Sequence, residues 1–178
     1  MQLRSLIHLV EVVNALARPQ RILVLGSSSL LSVYPHLGEG GQPLELSYDA
    51  DLLVEPCDEE TAAVLHEAVG EGSLFHRRHA IFADILRSDI VSTLPDGWAL
   101  RLHTLSSGSA HCLDPHDLAL VKLSLGREKD IALVVDLLRR SCLTMEKLRA
   151  LYHSVSWNEH RLKTTGRALA LVEKAATS

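Results

Sequence analysis

Asp49 and Asp51 are the residues best suited, by type and spacing, to carry chemistry in this chain. In an extended segment residues i and i+2 point to the same face. Asp49-Ala50-Asp51 therefore presents two carboxylates side by side, with Ala50 turned away. Two such carboxylates repel each other. A divalent cation relieves that cost, and carboxylate oxygens suit Mg2+ or Mn2+. Aspartate is also common at strand entrances, so a simple cap is the plain alternative. Upstream, Arg21-Ile22-Leu23-Val24-Leu25 reads as a strand and runs at once into Gly26-Ser27-Ser28-Ser29. Glycine lets backbone approach a phosphate, while serine adds a hydroxyl and the corner adds N–H donors. No Gly-Lys-Ser/Thr follows, so this is not a Walker motif, nor is it a dinucleotide fingerprint. No Gly-x-Ser-x-Gly elbow marks Ser27 to Ser29 as nucleophiles. A small-residue corner after one strand and Asp-x-Asp entering the next suit a nucleotide and its metals.

The elements that must position these residues follow from periodicity. Leu3, Leu6, Ile7, Val10, Val13 and Leu16 recur at helical spacing, predicting a helix over 2–17 that Pro19 stops. A strand follows over 22–25, then a helical turn over 28–34 and a glycine-rich loop over 35–43. The second strand spans 50–54 and stops at Pro56. Asp58 caps a helix with Glu59 and Glu60 in its first turn, closed by Gly70 and Gly72. A third strand is expected over 79–86, carrying Asp84 between apolar neighbours, where a carboxylate is costly to bury unless paired or metal-bound. The alternative is a sheet-edge position in solvent. Pro95-Asp96-Gly97 is a turn, and a fourth strand over 98–102 would place Leu100 and Leu102 on one face.

From Asp114 the pattern becomes helical throughout. Asp114-Pro115 reads as an N-cap with proline at the first helical position. A second helix over 127–140 turns Ile131, Val134, Val135 and Leu138 inward. Thr144 caps a third, and Ser156 to Glu159 fits a capping box for a fourth running to about Ala175. The fold class is α+β: a small mixed sheet flanked by helices, with a core over 1–113 and a C-terminal helical region over 114–178.

Composition narrows the function classes. A chain of 178 residues with 47% hydrophobic content and a net charge of −4 describes a globular protein able to build its own core. Cys57, Cys112 and Cys142 form no Cys-x-x-Cys pair, and no His-Glu-x-x-His is present, so neither a disulfide framework nor a zinc site is expected. Arg4, His8, Glu11 and Asn14 interrupt the first helix, so no signal peptide or membrane span is expected, and a cytoplasmic location follows. Residues 115–178 hold 11 Lys/Arg against 7 Asp/Glu, whereas residues 1–114 hold 7 against 15. Metal ligands in front with phosphate contacts behind would produce this asymmetry; so would ordinary variation between solvated faces.

The order strand, Gly26-Ser27, spacer, Asp49-x-Asp51 on the next strand resembles the nucleotidyltransferase superfamily of DNA polymerase β-like folds. The spacer, with its glycine-rich loop, is longer here than in minimal members. A second resemblance rests on longer blocks: Val69 to His76, Leu94 to Trp98, Arg101-Leu102, Cys112 to Leu118, Lys122-Leu123 and Gly126 to Asp130. These look like an uncharacterised bacterial nucleotidyltransferase-like family, related to abortive-infection and toxin–antitoxin nucleotidyltransferases. The resemblance implies that Gly26 and Ser27 hold a donor triphosphate and that Asp49, Asp51 and a third carboxylate, Asp84, hold two Mg2+ (or Mn2+) ions. It implies that Lys122 or Arg127 reaches the triphosphate while Asp130 orients a basic side chain; a snorkelling lysine and a charged first turn are the alternatives. The implied donor is an NTP, the acceptor an RNA (especially a tRNA end) or a protein, and the possible partner a cognate toxin or antitoxin. A non-catalytic binding protein that keeps the fold is the other class of function. His76-Arg77-Arg78-His79 reads either as a phosphate contact or as a solvated loop.

Overall fold

A computed structural model describes residues 1–176. The chain divides into two compact units: Met1–Ser88 with Leu102–Leu113, and Asp89–Arg101 with Asp114–Ser178.

The first unit is a five-stranded mixed sheet with helices. Helix α1 (Leu3–Ala17) buries Leu6, Val10 and Val13 of the expected stripe together with Leu9, while Leu3 and Ile7 are half-buried and Leu16 is exposed. Strand β1 (Arg21–Val24) buries its last three residues. It pairs antiparallel with β2 (Asp49–Glu55), Val24 against Leu52 and Arg21 against Glu55. Between them run two 3-10 turns, Ser27–Ser32 and Pro35–Gly38, the second where an open loop was expected. Helix α2 (Glu59–Val69) is capped by Asp58, which accepts from the Thr61 N–H at 2.8 Å. Strand β3 (Phe82–Ile85) pairs parallel with β2. The strand order is β3-β2-β1-β5-β4, where β4 is His103–Thr104 and β5 is His111–Cys112.

Two strand expectations fail. The third strand does not begin at His79, because Leu74–His79 forms a short helix, α3, capped by Ser73. Neither does Trp98 to Leu102 form a strand. Trp98–Leu100 is a 3-10 turn in which Leu100 is 92% exposed, so the alternation of Leu100 and Leu102 had no buried face to serve.

The second unit gathers four helices: α4 (Pro115–Leu125), α5 (Glu128–Arg139), α6 (Met145–Ser154) and α7 (Glu159–Ala176). Asp114 caps α4, accepting from the His116 N–H at 2.8 Å, and Gly126 ends it in the left-handed region at φ 65°. Thr144 caps α6 as expected. The α7 cap falls on Asn158, whose Oδ1 accepts from the Arg161 N–H at 3.0 Å, instead of on Ser156. On α5 the buried apolar set is Val134, Val135 and Leu137, while Ile131 and Leu138 are half-buried. Within this unit Arg101 grips the fully buried Asp117 through two bonds of 2.8 Å, and donates a third to the Asp96 carbonyl.

Candidate active site

The site begins with the alternation of β2. Ala50, Leu52 and Val54 are buried on one side of the strand. Asp49 is exposed and Asp51 half-exposed on the other. Leu53, on the Asp51 side, is also buried, so this face opens only towards the start of the strand. The β1–β2 ladder continues past its last paired residue, with the Leu25 N–H donating to the Asp51 carbonyl at 3.0 Å. That bond fixes Leu25 beside Asp51 and carries Gly26 over the Asp51 side chain.

The fit at this point is tight. A Cβ on Gly26 would lie 1.6 Å from Asp51 Oδ2, 2.6 Å from Cγ and 2.9 Å from Cβ. Gly26 has φ −88°, which any residue can adopt, so glycine is required here for space alone. The backbone therefore passes directly against the Asp51 carboxylate, with no room for a side chain between them. Ser27 is half-exposed at this corner, while Ser28 and Ser29 are buried with hydroxyls that find no hydrogen-bond partner among the described residues.

Asp84 joins from the neighbouring strand. The parallel register sets Asp51 against Asp84 and Asp49 against Phe82. Paired residues on adjacent strands share a face, with strands ~4.8 Å apart, so all three aspartates lie on one face of the sheet. Ala83 is buried on the other face and Asp84 is exposed, on the last strand of the sheet. The edge position weighed for Asp84 and its place beside Asp51 are thus both found. Among the described residues no three His, Cys, Asp or Glu side chains are gathered closely enough to hold a metal ion as they stand. Three like charges on one face favour separation, so backbones in register need not bring their carboxylates together.

The basic candidates sit in the helical unit. Lys122 Nζ bonds to Asp130 Oδ1 at 3.1 Å, and Arg127 Nε bonds to Oδ2 of the same carboxylate. Asp130 is 2% exposed. Burial pushes its carboxyl up, but the bond from Arg127 and the charge of Lys122 outweigh that and hold it below the usual range. Asp130 therefore fixes the direction of both cations.

His76 and His79 stand three residues apart, a His-x-x-His spacing that the expectation of no zinc site passed over. On α3 they go separate ways. The Nδ1 of His76 accepts from the Gly72 N–H at 2.9 Å and its ring lies against Phe82, while His79 packs on Phe75 and His8. The segment His76 to His79 is thus a helical last turn, where basic residues complement the helix dipole, and not a loop.

The model of the family described as nucleotidyltransferase of unknown function (DUF6036) matches residues 1–170. The chain belongs to this family. It is a nucleotidyltransferase-like domain with a mixed α+β fold, and the match runs through both units of the chain. No curated protein and no solved structure matches it. No helix among the described residues is long and apolar enough to cross a membrane. Within this nucleotidyltransferase family, residue roles therefore rest on geometry. What sequence reasoning missed was the close approach of Gly26 to Asp51, which only the strand register reveals.

Proposed function

We propose that the chain is a metal-dependent nucleotidyltransferase, moving a nucleoside monophosphate from an NTP to an acceptor hydroxyl and releasing pyrophosphate. The observation that carries this reading is the register: Asp51 beside Asp84, with Asp49 on the same face and the Gly26 corner against Asp51. The donor set is all carboxylate oxygen, which fits Mg2+ or Mn2+. Asp49 and Asp51 would hold two such ions and Asp84 would complete the set. When bound, the ions supply charge neutralisation at the triphosphate and acidify the attacking hydroxyl.

The chain's own groups then have defined tasks. Gly26 and Ser27 orient the β- and γ-phosphates through backbone and hydroxyl donors. Asp84 takes the acceptor's proton as its oxygen bonds to the α-phosphorus. The bond from that phosphorus to the bridging oxygen breaks in line, and pyrophosphate leaves. Lys122 and Arg127, held by Asp130 in the helical unit, are proposed as phosphate contacts. The acceptor classes implied by resemblance are an RNA end or a protein, within a toxin–antitoxin pair.

Incubating the protein with each labelled NTP, Mg2+ or Mn2+, and total RNA or lysate marks both donor and acceptor. Transfer is expected with at least one NTP, and Asp49→Asn, Asp51→Asn or Asp84→Asn should reduce it by ~10²-fold or more. Absence of transfer with every NTP, together with no NTP binding by calorimetry, would leave a non-catalytic binding protein on this fold.

A further inference from the structure

We infer that α1 and α3 together form a binding surface for single-stranded nucleic acid. The observation is a cavity of about 240 Å³ lined by Arg4, Ser5, His8, His79 and Ile81. Arg4 is a permanent cation, His8 and His79 are imidazoles and none of the five is acidic, in a half of the chain where Asp and Glu outnumber Lys and Arg by 15 to 7. Arg4, His8 and His79 are exposed, and Ile81 forms a floor at 5% exposure. Arg4 makes no ion pair with the described residues.

The second feature is a cluster of rings. His8 stacks on Phe75 at 5.5 Å between centroids, Phe75 packs on His79 at 4.5 Å, and His79 meets His8 edge-on at 5.0 Å. An unpaired guanidinium beside stacked planar rings provides the two components that a flexible polyanion with flat bases requires: a phosphate partner and a stacking platform. A helix-dipole role explains the basic last turn of α3. It does not explain Arg4 and His8, which belong to α1. A membrane surface fits less well, because α3 has six residues, too few for an amphipathic face.

Position gives the surface a purpose, which rests on the transfer reading. His79 precedes Asp84 by five residues, so their Cα atoms lie at most ~17 Å apart. Stacked nucleotides rise ~3.4 Å each. Ile81 and Ala83 alternate with Asp84, so a strand held at this surface would pass round the β3 edge to bring its end to the carboxylates, as an acceptor must.

The test is fluorescence anisotropy with a labelled oligouridine over a range of salt concentrations. The Arg4→Ala/His79→Ala variant, checked for unchanged melting, should bind at least tenfold more weakly. Its slope of log affinity against log salt should flatten by ~0.7 for each phosphate that the variant no longer neutralises. The Asp49→Asn/Asp51→Asn variant should bind the oligonucleotide as the parent does, so failure of nucleotidyl transfer leaves this surface intact. Equal binding by parent and Arg4→Ala/His79→Ala overturns the proposal. So does absence of oligonucleotide binding by the parent, and Arg4- and His79-dependent binding to phosphatidylserine vesicles in that case assigns the surface to lipid.

Discussion

Replacing Gly26 by alanine sets a methyl carbon 1.6 Å from Asp51 Oδ2 and 2.6 Å from its Cγ. The Asp51 side chain can rotate away, but its Cβ, at 2.9 Å, is fixed by the backbone bond from the Leu25 N–H to the Asp51 carbonyl. Rotation therefore relieves most of the overlap, and a small shift of the ladder must relieve the rest. Overpacking of this kind costs ~1–3 kcal/mol, and an off-rotamer carboxylate adds ~0.5–1.5 kcal/mol. For a chain of this length that corresponds to a fall in Tm of roughly 5–15 °C. The displaced carboxylate should lower transfer by ~10²-fold, since a 1 Å misplacement has that effect. Circular dichroism melting and labelled-nucleotide transfer measure the two separately. Asp51→Ala in the Gly26→Ala background removes the two closest overlaps and leaves only the 2.9 Å approach. It should therefore restore most of the lost Tm, with a coupling of ~0.5–3 kcal/mol in the double-mutant cycle. A Gly26→Ala protein that melts with the parent, or a double variant no more stable than Gly26→Ala, would refute the close approach.

Three further outcomes follow from the same kind of reasoning. Arg101→Leu strands the fully buried Asp117 carboxylate and should cost ~3–5 kcal/mol in chemical denaturation, part of which Arg101→Leu/Asp117→Leu should recover. Asp130 has a folded pKa below its unfolded value of ~3.9, so it contributes stability above that pH and loses it as the pH falls through the folded value. Asp130→Asn should accordingly flatten the acid limb of a stability–pH curve, and an unchanged limb would contradict the Lys122–Asp130–Arg127 arrangement. Burial pushes the Cys112 thiol up to about 11, so at pH 8 it should resist iodoacetamide until the protein unfolds, while mass spectrometry finds half-exposed Cys57 labelled first.

Long elements were legible in the sequence because their burial stripes repeat: Leu6, Val10 and Val13 on α1, Leu52 and Val54 on β2. The caps at Asp58, Asp114 and Thr144 were legible because one side-chain oxygen decides each of them. The failures are short. Leu74 to His79 has too few residues for a period to show, and the two-residue strands β4 and β5 exist through pairing with each other and with β1. At Asn158 two polar residues competed for one cap, and local geometry chose the nearer. In the candidate site, the same-face placement of Asp49 and Asp51 follows from alternation alone. The pairing of Asp51 with Asp84 depends on register, which a single strand does not encode.

Strand β3 closes one side of the sheet, so its outer row of amides and carbonyls faces no further strand among the described residues. Such a border invites pairing with another chain, and a charged side chain on it is a common deterrent. Asp84 is the exposed charge within the four residues of β3. The same carboxylate thus guards against self-association as well as serving the proposed reaction. Variants built to silence the reaction will differ in handling: Asp84→Val should aggregate on concentration, whereas Asp84→Lys should be equally inactive and stay dispersed.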